Sequence, residues 1–203
     1  MDILFDIGRV LLDFDFEASI RRLLNEHPHA TRESLMRAID AREDFECGRE
    51  HPDAFINRLI RSADGGQTIP APRMRDAWRR IFTRNAPMWD VVNRLKHAGG
   101  HRLILFSNTN AVHCPWIFEE FPEFGVFDGA VLSYEVGAMK PDAAIYEHAI
   151  REFGLNPART RYIDDLPENV AAGERFGFRC HLYDLRRHDR FERWLADEMR
   201  GGG

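Results

Sequence analysis

Long apolar segments and closely spaced cysteines are both missing from this chain of 203 residues. No apolar run approaches the roughly 20 residues that a membrane-spanning helix needs, and the first residues lack the basic region of a secretory signal peptide. The three cysteines, Cys47, Cys114 and Cys180, are far apart and have no CxxC spacing, which argues against a disulfide framework or a zinc site. We therefore expect a cytoplasmic protein without a membrane partner.

An excess of positive charge is also absent, because 33 acidic residues outnumber 28 lysines and arginines. Many arginines are interleaved with acids, as between positions 37 and 44, a pattern typical of solvated helix faces. The formal charge of -5 argues against non-specific nucleic-acid binding, and we expect no nucleic-acid partner. The length is sufficient for one hydrophobic core and a smaller accessory domain.

What the sequence does contain is an alternation of apolar runs and amphipathic segments after Pro87. Together with the first residues, these patterns predict strands at 2–6, 102–106, 129–132, 161–164 and 179–183, and helices at 88–98, 114–121, 142–154 and 168–176. A further amphipathic helix follows the last strand. Such alternation is typical of an α/β fold with a Rossmann-like, doubly wound parallel sheet.

Residues 16–86 differ from the rest, because they show helical periodicity and no convincing strand. Four apolar faces predict four helices, with a glycine-containing turn at 64–67 and a proline-containing stretch between the last two. We expect a four-helix domain inserted after the first strand, so that residues 1–15 and 87–203 form a discontinuous core. The glycines at 201–203 predict a disordered tail.

Four polar signals stand at the ends of predicted strands or in the loops beyond them. They are Asp6-Ile7-Gly8, Ser107-Asn108, Lys140-Pro141 and Asp164-Asp165. Each alone is an ordinary turn, surface charge or helix cap, but ligands of parallel sheets bind where the carboxyl ends of the strands meet. Clustered acids repel one another and are costly to bury unless a cation lies among them. Oxygen ligands of this kind suit Mg2+ together with a substrate phosphate.

These groups have the composition that phosphoryl transfer needs. Asp6 can attack phosphorus and form an aspartyl-phosphate, which divides one difficult displacement into two. Ser107, the Asn108 backbone amide and Lys140 supply the hydroxyl, amide and cationic groups that hold a transferred phosphoryl group. Mg2+ held by the carboxylates would neutralise both the phosphate and Asp6.

The chain resembles the haloacid dehalogenase (HAD) superfamily of hydrolases at all four places. The segments that carry the resemblance are Phe5-Asp6-Ile7-Gly8-Arg9-Val10-Leu11-Leu12-Asp13, Leu105-Phe106-Ser107-Asn108-Thr109-Asn110, Gly137-Ala138-Met139-Lys140-Pro141-Asp142 and Tyr162-Ile163-Asp164-Asp165-Leu166-Pro167-Glu168-Asn169. Residues 16–86 look like the family's helical cap, and the pattern is similar to the branch that contains α-D-glucose-1-phosphate phosphatase. The resemblance implies Mg2+-dependent hydrolysis of a small phosphorylated metabolite, such as a hexose 1-phosphate.

The resemblance also implies a set of metal ligands. Asp6 would be both the nucleophile and a ligand of Mg2+, and the carbonyl of Gly8 would be another ligand. Asp165 would be the direct acidic ligand, with Asp164 as a further ligand or behind it. Asn169 would orient Asp165 from one helical turn away.

A second set of residues would bind the phosphate. Ser107 and the Asn108 amide would contact it, and Lys140 would offset the charge on the phosphoryl group and on the nucleophile. Arg9 could also grip the substrate, or it could point to solvent. His113 could contact substrate too, although a helix-start or surface position is the plainer expectation.

Position 8 departs from the family's pattern. Most phosphatases of the superfamily carry a second aspartate there, which protonates the leaving oxygen, whereas this chain has Gly8. Losing a general acid costs about 10²–10⁴-fold if nothing replaces it. The leaving group could need little protonation, or a cap residue could supply the acid. Glu46 is the candidate for that acid, against the plainer alternative of a solvated loop residue.

Two other classes of protein stay open. One is a weakly active or non-catalytic protein that binds phosphometabolites. The other is a metal-independent dehalogenase, since these enzymes also lack the second aspartate. Asp164 and Asp165 favour a phosphatase, because a dehalogenase attracts a carboxylate substrate and gains nothing from two adjacent acids.

Overall fold

The computed structural model describes residues 1–27, 30–63 and 69–200. The turn predicted at 64–67 and the tail predicted at 201–203 lie outside these residues. The strands are β1 (Asp2–Phe5), β2 (Leu12–Phe14), β3 (Phe82–Arg84), β4 (Arg102–Ser107), β5 (Gly129–Leu132), β6 (Thr160–Asp164) and β7 (Arg179–Leu182). The α-helices are α1 (Phe16–Glu26), α2 (Arg32–Asp40), α3 (Glu43–Glu46), α4 (Pro52–Ala63), α5 (Ala71–Arg79), α6 (Ala86–Ala98), α7 (His113–Glu120), α8 (Ser133–Val136), α9 (Ala143–Phe153), α10 (Pro167–Arg175) and α11 (His188–Arg200). Within the described ranges, none of these helices is long and apolar enough to cross a membrane.

Five strands form a parallel sheet in the order β5-β4-β1-β6-β7. The chain therefore moves outward from β1 through β4 and β5, and then continues on the other side through β6 and β7. This doubly wound order confirms the predicted Rossmann-like α/β fold, and each of the five predicted strands is present to within one residue. Ligands of such sheets bind at the carboxyl edge beside the strand where the order reverses, which here is β1.

Both faces of the sheet are covered, and this explains why its strands read as nearly continuous apolar runs. On one face, Phe5 belongs to a buried cluster with Trp89 of α6 and Phe191 of α11. On the other face, Leu4 belongs to a cluster with Tyr146 of α9. Successive residues of β1 thus face opposite layers of helices, as the period of two in a strand requires.

The insert between β2 and β3 has its own hydrophobic core, to which α1, α2, α3, α4 and α5 all contribute. Four of these helices correspond to the four predicted ones, and α3 is an additional single turn. The predicted absence of strands in 16–86 is wrong, because β3 pairs antiparallel with β2. A three-residue strand whose partner lies about seventy positions away has too little periodicity to be recognised. The domain boundaries at 15/16 and 86/87 stay a prediction.

Gly48 of the insert lies close against the backbone of the core at Tyr134. The φ angle of this glycine is +69°, and a Cβ there would lie 2.1 Å from the carbonyl oxygen of Tyr134 in α8. A side chain at this position would therefore meet backbone, which cannot rotate away. Glycine is required both for the positive φ and for the contact.

Replacing Gly48 with alanine should destabilise the protein more than the same change at Gly154. Gly154 also has a positive φ, of +57°, but a Cβ there would meet nothing within 4 Å. Gly154→Ala should cost about 1–2 kcal/mol for the left-handed backbone alone. Gly48→Ala should lose roughly a further 1–3 kcal/mol, because the loop must move away from Tyr134. Urea denaturation measures both losses, and equal values would contradict the close approach.

Candidate active site

A cleft of about 380 Å³ lies at the carboxyl edge of the sheet, where the insert faces the core. Nine residues that the sequence singles out line it: Asp6, Gly8, Glu46, Ser107, Asn108, His113, Lys140, Asp165 and Asn169. The insert contributes Phe16, Arg42 and Glu46 to the opposite wall. The volume is in the range of pockets that hold small molecules.

Lys140 is buried at the centre of the polar end of the cleft, with 2% of its surface exposed. Its ammonium donates hydrogen bonds to Asp6 Oδ1 at 2.9 Å, to Asp164 Oδ2 at 2.5 Å and to the Phe106 carbonyl at 2.7 Å. All three donors are therefore used. Burial lowers the pKa of Lys140, but the two carboxylates outweigh it and raise the pKa above its usual value, so the side chain stays charged.

Asp164 is the most completely satisfied acid of the site. Besides Lys140, Oδ2 accepts from the Tyr162 hydroxyl at 2.6 Å, and Oδ1 accepts from the Leu166 amide at 2.9 Å and from Asn169 Nδ2 at 3.0 Å. Burial raises the pKa of Asp164, but Lys140 and these donors hold it below its usual value. The prediction that Asn169 orients Asp165 is wrong, because its amide donates to the preceding acid.

Asp165 has the opposite environment. Burial, together with the charges of Asp6 and Asp164, raises the pKa of its carboxyl to about 7. The charge of Lys140 and the backbone amide of Asp165 itself oppose this shift but do not outweigh it. Burial likewise raises the pKa of Asp6 to about 6, although Lys140 opposes this shift. Among the described residues, the three carboxylates thus share the single positive charge of Lys140, which is not enough to balance them.

These acids fit a divalent cation. One oxygen from each of Asp6, Asp164 and Asp165 lies within 4.8 Å of the others, and three carboxylates face a single ammonium. Oxygen-only donor sets are what Mg2+ prefers. Asn169 Oδ1 is buried without a hydrogen-bond partner among the described residues, so it could accept from the water of a hydrated cation. No hydrogen bond from the described residues ends on the Gly8 carbonyl, which leaves this oxygen free as well.

The ring of Phe14 crowds the space where a side chain at position 8 would begin. A Cβ on Gly8 would lie 3.1 Å from Cε1 of the Phe14 ring and 3.8 Å from Asp6 Oδ2. Phe14 lies in β2, where it pairs with Phe82 of β3. Sequence reasoning missed Phe14, since nothing in the apolar pattern indicates that a ring of β2 would face position 8.

Arg9 does not line the cleft, although the sequence made it a candidate for binding substrate. The backbone of Arg9 has a φ of 57°, and its guanidinium forms an ion pair with Asp13. The guanidinium carbon also lies 4.3 Å from the centre of the Phe14 ring. The side chain of Arg9 is 40% exposed, which agrees with the predicted alternative that it points to solvent, and binding of substrate by Arg9 stays a prediction.

Ser107 and Asn108 lie where β4 ends and the loop begins. Ser107 is 1% exposed and its hydroxyl contributes to lowering the pKa of Asp6. The side chain of Asn108 makes two bonds to the backbone of Lys140, donating to its carbonyl at 2.8 Å and accepting from its amide at 2.7 Å. The side chain of Asn108 therefore positions Lys140, and only the backbone amide is left for a ligand.

His113 joins the core to the insert. Its ring stacks on Trp78 of α5 with centroids 4.9 Å apart, and Nε2 donates to the Trp78 carbonyl at 3.0 Å. Nδ1 accepts from Asn110 Nδ2 at 3.1 Å. Burial lowers the pKa of His113 to about 3. His113 is the first residue of α7, which confirms the predicted helix-start position. The alternative of a surface position is wrong, because His113 is a neutral, buried side chain whose ring nitrogens both have protein partners.

Glu46 faces the cleft from the end of α3. Its side chain is 13% exposed, so the expectation of a solvated loop acid is wrong. Burial raises the pKa of Glu46, although Arg42 opposes the shift. Arg42 Nε donates to Glu46 Oε1 at 2.8 Å. The sequence analysis did not identify Arg42 as a residue of the site. The available signal was its spacing of four positions from Glu46, which brings two side chains together on a helix.

The family model of haloacid dehalogenase-like hydrolases matches residues 3–177 of this chain. The chain is 25% identical over 188 residues to a D-ribitol-5-phosphate phosphatase of Bacteroides thetaiotaomicron, covering 87% of this chain and 88% of the relative. It is 29% identical over 146 residues to a sesquiterpene phosphatase of Aspergillus oryzae, covering 70% of this chain and 72% of the relative.

A solved structure has the same fold. It is a HAD family enzyme of Bacteroides thetaiotaomicron in complex with magnesium and inorganic phosphate. The two structures superpose with a TM-score of 0.79 at 22% identity, covering 91% of this chain and 94% of the other.

Removing the charge of Asp164 and removing the charge of Asp165 should change the free energy of unfolding in opposite directions. In the metal-free protein near pH 8, Asp165→Asn should raise the free energy of unfolding, because it removes a carboxylate that burial and two like charges disfavour. Asp164→Asn should lower it by roughly 3 kcal/mol, because Lys140 loses a buried counter-ion. Urea denaturation in the presence of a chelator measures both. Changes of the same sign would contradict the division of roles, and the exposed Asp90→Asn serves as the control.

The buried neutral His113 predicts a loss of stability in acid. Its folded pKa of about 3 lies below its usual value of 6.5, so the unfolded chain takes up the proton first as the pH falls. The contribution of the neutral His113 to the free energy of unfolding is complete above pH 6.5. It is lost below that pH, by up to about 1.4 kcal/mol per pH unit. His113→Gln should therefore flatten the decline in unfolding free energy between pH 6.5 and pH 4. The exposed His97→Gln should leave the slope unchanged, and an unchanged slope in both variants would refute this role.

Proposed function

The chain belongs to the haloacid dehalogenase-like hydrolases, and on this premise we propose that it is a Mg2+-dependent phosphatase of small phosphomonoesters. One observation carries the proposal: Asp6, Asp164 and Asp165 converge around a single ammonium at the edge of the sheet where ligands bind. The proposal is supported by similarity to two phosphatases and by a solved enzyme of the same fold that holds magnesium and phosphate.

In the proposed reaction, an oxygen of Asp6 attacks the phosphorus and the bond to the leaving oxygen breaks. Water then attacks the aspartyl-phosphate, which releases inorganic phosphate and restores the carboxylate. Lys140 holds the attacking group in place and offsets charge as the phosphoryl group is transferred. Ser107 and the backbone amide of Asn108 are proposed to bind the equatorial oxygens.

Asp6, Asp165 and the Gly8 carbonyl are the residues proposed to hold Mg2+, which would supply charge neutralisation for the phosphate and for the nucleophile. The side chain of Asp164 acts on Lys140 rather than on the substrate. We assign it the positioning role, since all of the donors around it come from the protein.

We also propose that residues 16–86 act as a cap that excludes water during phosphoryl transfer and selects the substrate. The insert supplies part of the wall of the cleft, through Phe16, Arg42 and Glu46. The hexose 1-phosphate that the resemblance implies stays a prediction. The two curated relatives act on leaving groups as different as a polyol and a sesquiterpene, so they leave the identity of the leaving group open.

Phosphate release from a panel of phosphomonoesters tests the function. Wild type should release phosphate with Mg2+ and not with a chelator. Asp6→Asn, which keeps the shape of the nucleophile but not its charge, should lower kcat/KM by at least about 10³-fold. The control Asp90→Asn, at an exposed position, should retain activity.

The other outcomes identify the alternative functions. Halide release from 2-haloacids without metal would indicate a dehalogenase and overturn the proposal. Mg2+-dependent binding of inorganic phosphate without turnover of any ester would indicate a binding protein, and would overturn it as well.

A further inference from the structure

Beyond its carboxylate end, the cleft is walled by aromatic and aliphatic side chains. Three phenylalanines, from β2, α1 and β3, form a continuous group: Phe14 packs edge-on against Phe16, with centroids 5.4 Å apart, and against Phe82, at 6.1 Å. Ile117 and Leu166 extend this apolar lining. Leu166 follows the acid pair and is 42% exposed, although it is a large apolar residue beside a polar site.

Most of the polar side chains in this part of the cleft are engaged with the protein itself, whereas Glu168, which also lines it, is exposed and makes no hydrogen bond with the described residues. His113 uses both ring nitrogens, and Asn108 uses both amide atoms on the backbone of Lys140. Arg42 and Glu46 bond each other, and Thr109 Oγ1 lies 3.3 Å from Cys114 Sγ. A substrate rich in hydroxyl groups needs donors and acceptors that are free to receive it. The leaving-group side of this cleft offers few of them.

Position 8 has no acid, because its residue is glycine, and the Phe14 ring of the same wall crowds it. A Cβ there would begin 3.1 Å from the ring edge, so a side chain would require the ring to shift by a few tenths of an ångström. Without a proton from the protein, the leaving oxygen departs as an anion. Phenols tolerate this far better than aliphatic alcohols, since a phenol ionises near pH 10.

From the aromatic wall, the largely engaged polar groups and the missing acid at position 8, we infer that the substrate is an aryl phosphomonoester, whose leaving group is a phenolate. This inference rests on the proposed phosphatase activity. An oxygen of Asp6 forms a bond to phosphorus while the bond from phosphorus to the aryl oxygen breaks, and the electron pair leaves on that oxygen. The phenolate takes its proton from solvent. Water then attacks the aspartyl-phosphate, giving inorganic phosphate, a proton and the free carboxylate.

The dependence of kcat/KM on the leaving group tests this inference. The substrates are phenyl phosphates with substituents that span several units of phenol pKa, with cyclohexyl phosphate, glucose 1-phosphate and ribitol 5-phosphate for comparison. Phenyl and cyclohexyl phosphate are alike in size and apolarity but differ in the acidity of the leaving alcohol. We expect kcat/KM to rise several-fold for each unit by which the phenol pKa falls, and phenyl phosphate to exceed the other three by at least about 10²-fold.

The results separate this inference from the function on which it rests. Equal or faster turnover of glucose 1-phosphate, ribitol 5-phosphate or cyclohexyl phosphate would overturn the aryl assignment while leaving the phosphatase intact. A rate that does not depend on the phenol pKa would also overturn it, because a protein acid would then be acting. Absence of phosphate release from every ester would overturn both.

Two variants locate the effect. Phe14→Leu should lower kcat/KM for phenyl phosphate about 5- to 10-fold, while inhibition by inorganic phosphate stays the same, because only the wall for the ring is altered. The control is Phe118→Leu, at an exposed phenylalanine outside the cleft, and it should behave as wild type. Glu46→Gln should leave the slope against phenol pKa unchanged. A steeper slope in that variant would make Glu46 the acid and overturn the inference.

Discussion

The ammonium group of Lys140 is the contact on which the site depends. It bonds Asp6 after β1, Asp164 at the end of β6 and the carbonyl of Phe106 in β4, so one side chain ties together three neighbouring strands of the sheet. A buried lysine is costly unless it is paired and hydrogen-bonded. The fold therefore needs the acids at the strand ends for its own stability, before any ligand is considered. The side chain of Asn108 then fixes the backbone that carries the lysine.

This pairing also leaves the site with an excess of negative charge. One lysine balances one carboxylate, and Asp164 has most of its hydrogen-bonding capacity occupied by protein donors. The two other acids, Asp6 and Asp165, are left with pKa values raised to about 6 and about 7. Adjacent residues with identical side chains thus have different environments: Asp164 is hydrogen-bonded to the protein on both oxygens, whereas the pKa of Asp165 is raised by burial and by like charges. A site of this kind is assembled without its metal but is electrostatically balanced only by binding it.

Much of this arrangement could be predicted from the sequence, because it depends on local patterns. The order of strands and helices and the acids at the strand ends follow from apolar runs that stop at polar residues, as in Tyr162-Ile163-Asp164-Asp165. What could not be predicted depends on contacts between distant segments. β3 is a strand because it pairs with β2, and His113 is covered by Trp78 of α5, which stacks on its ring. Asn169 is four positions after one acid and five after the other, so spacing alone could not decide which one it contacts.

The pairing of β2 with β3 has a consequence for specificity. It brings Phe14 and Phe82 together at the two points where the chain enters and leaves the insert, and Phe14 then covers position 8. The apolar wall beside Asp6 is therefore built by the ribbon that joins the insert to the sheet, and the insert's helices contribute other parts of the lining. A side chain restored at position 8 would require the Phe14 ring to shift by a few tenths of an ångström. The glycine at position 8 and the apolar wall are thus coupled through one contact, which links the identity of residue 8 to the way in which the insert is attached.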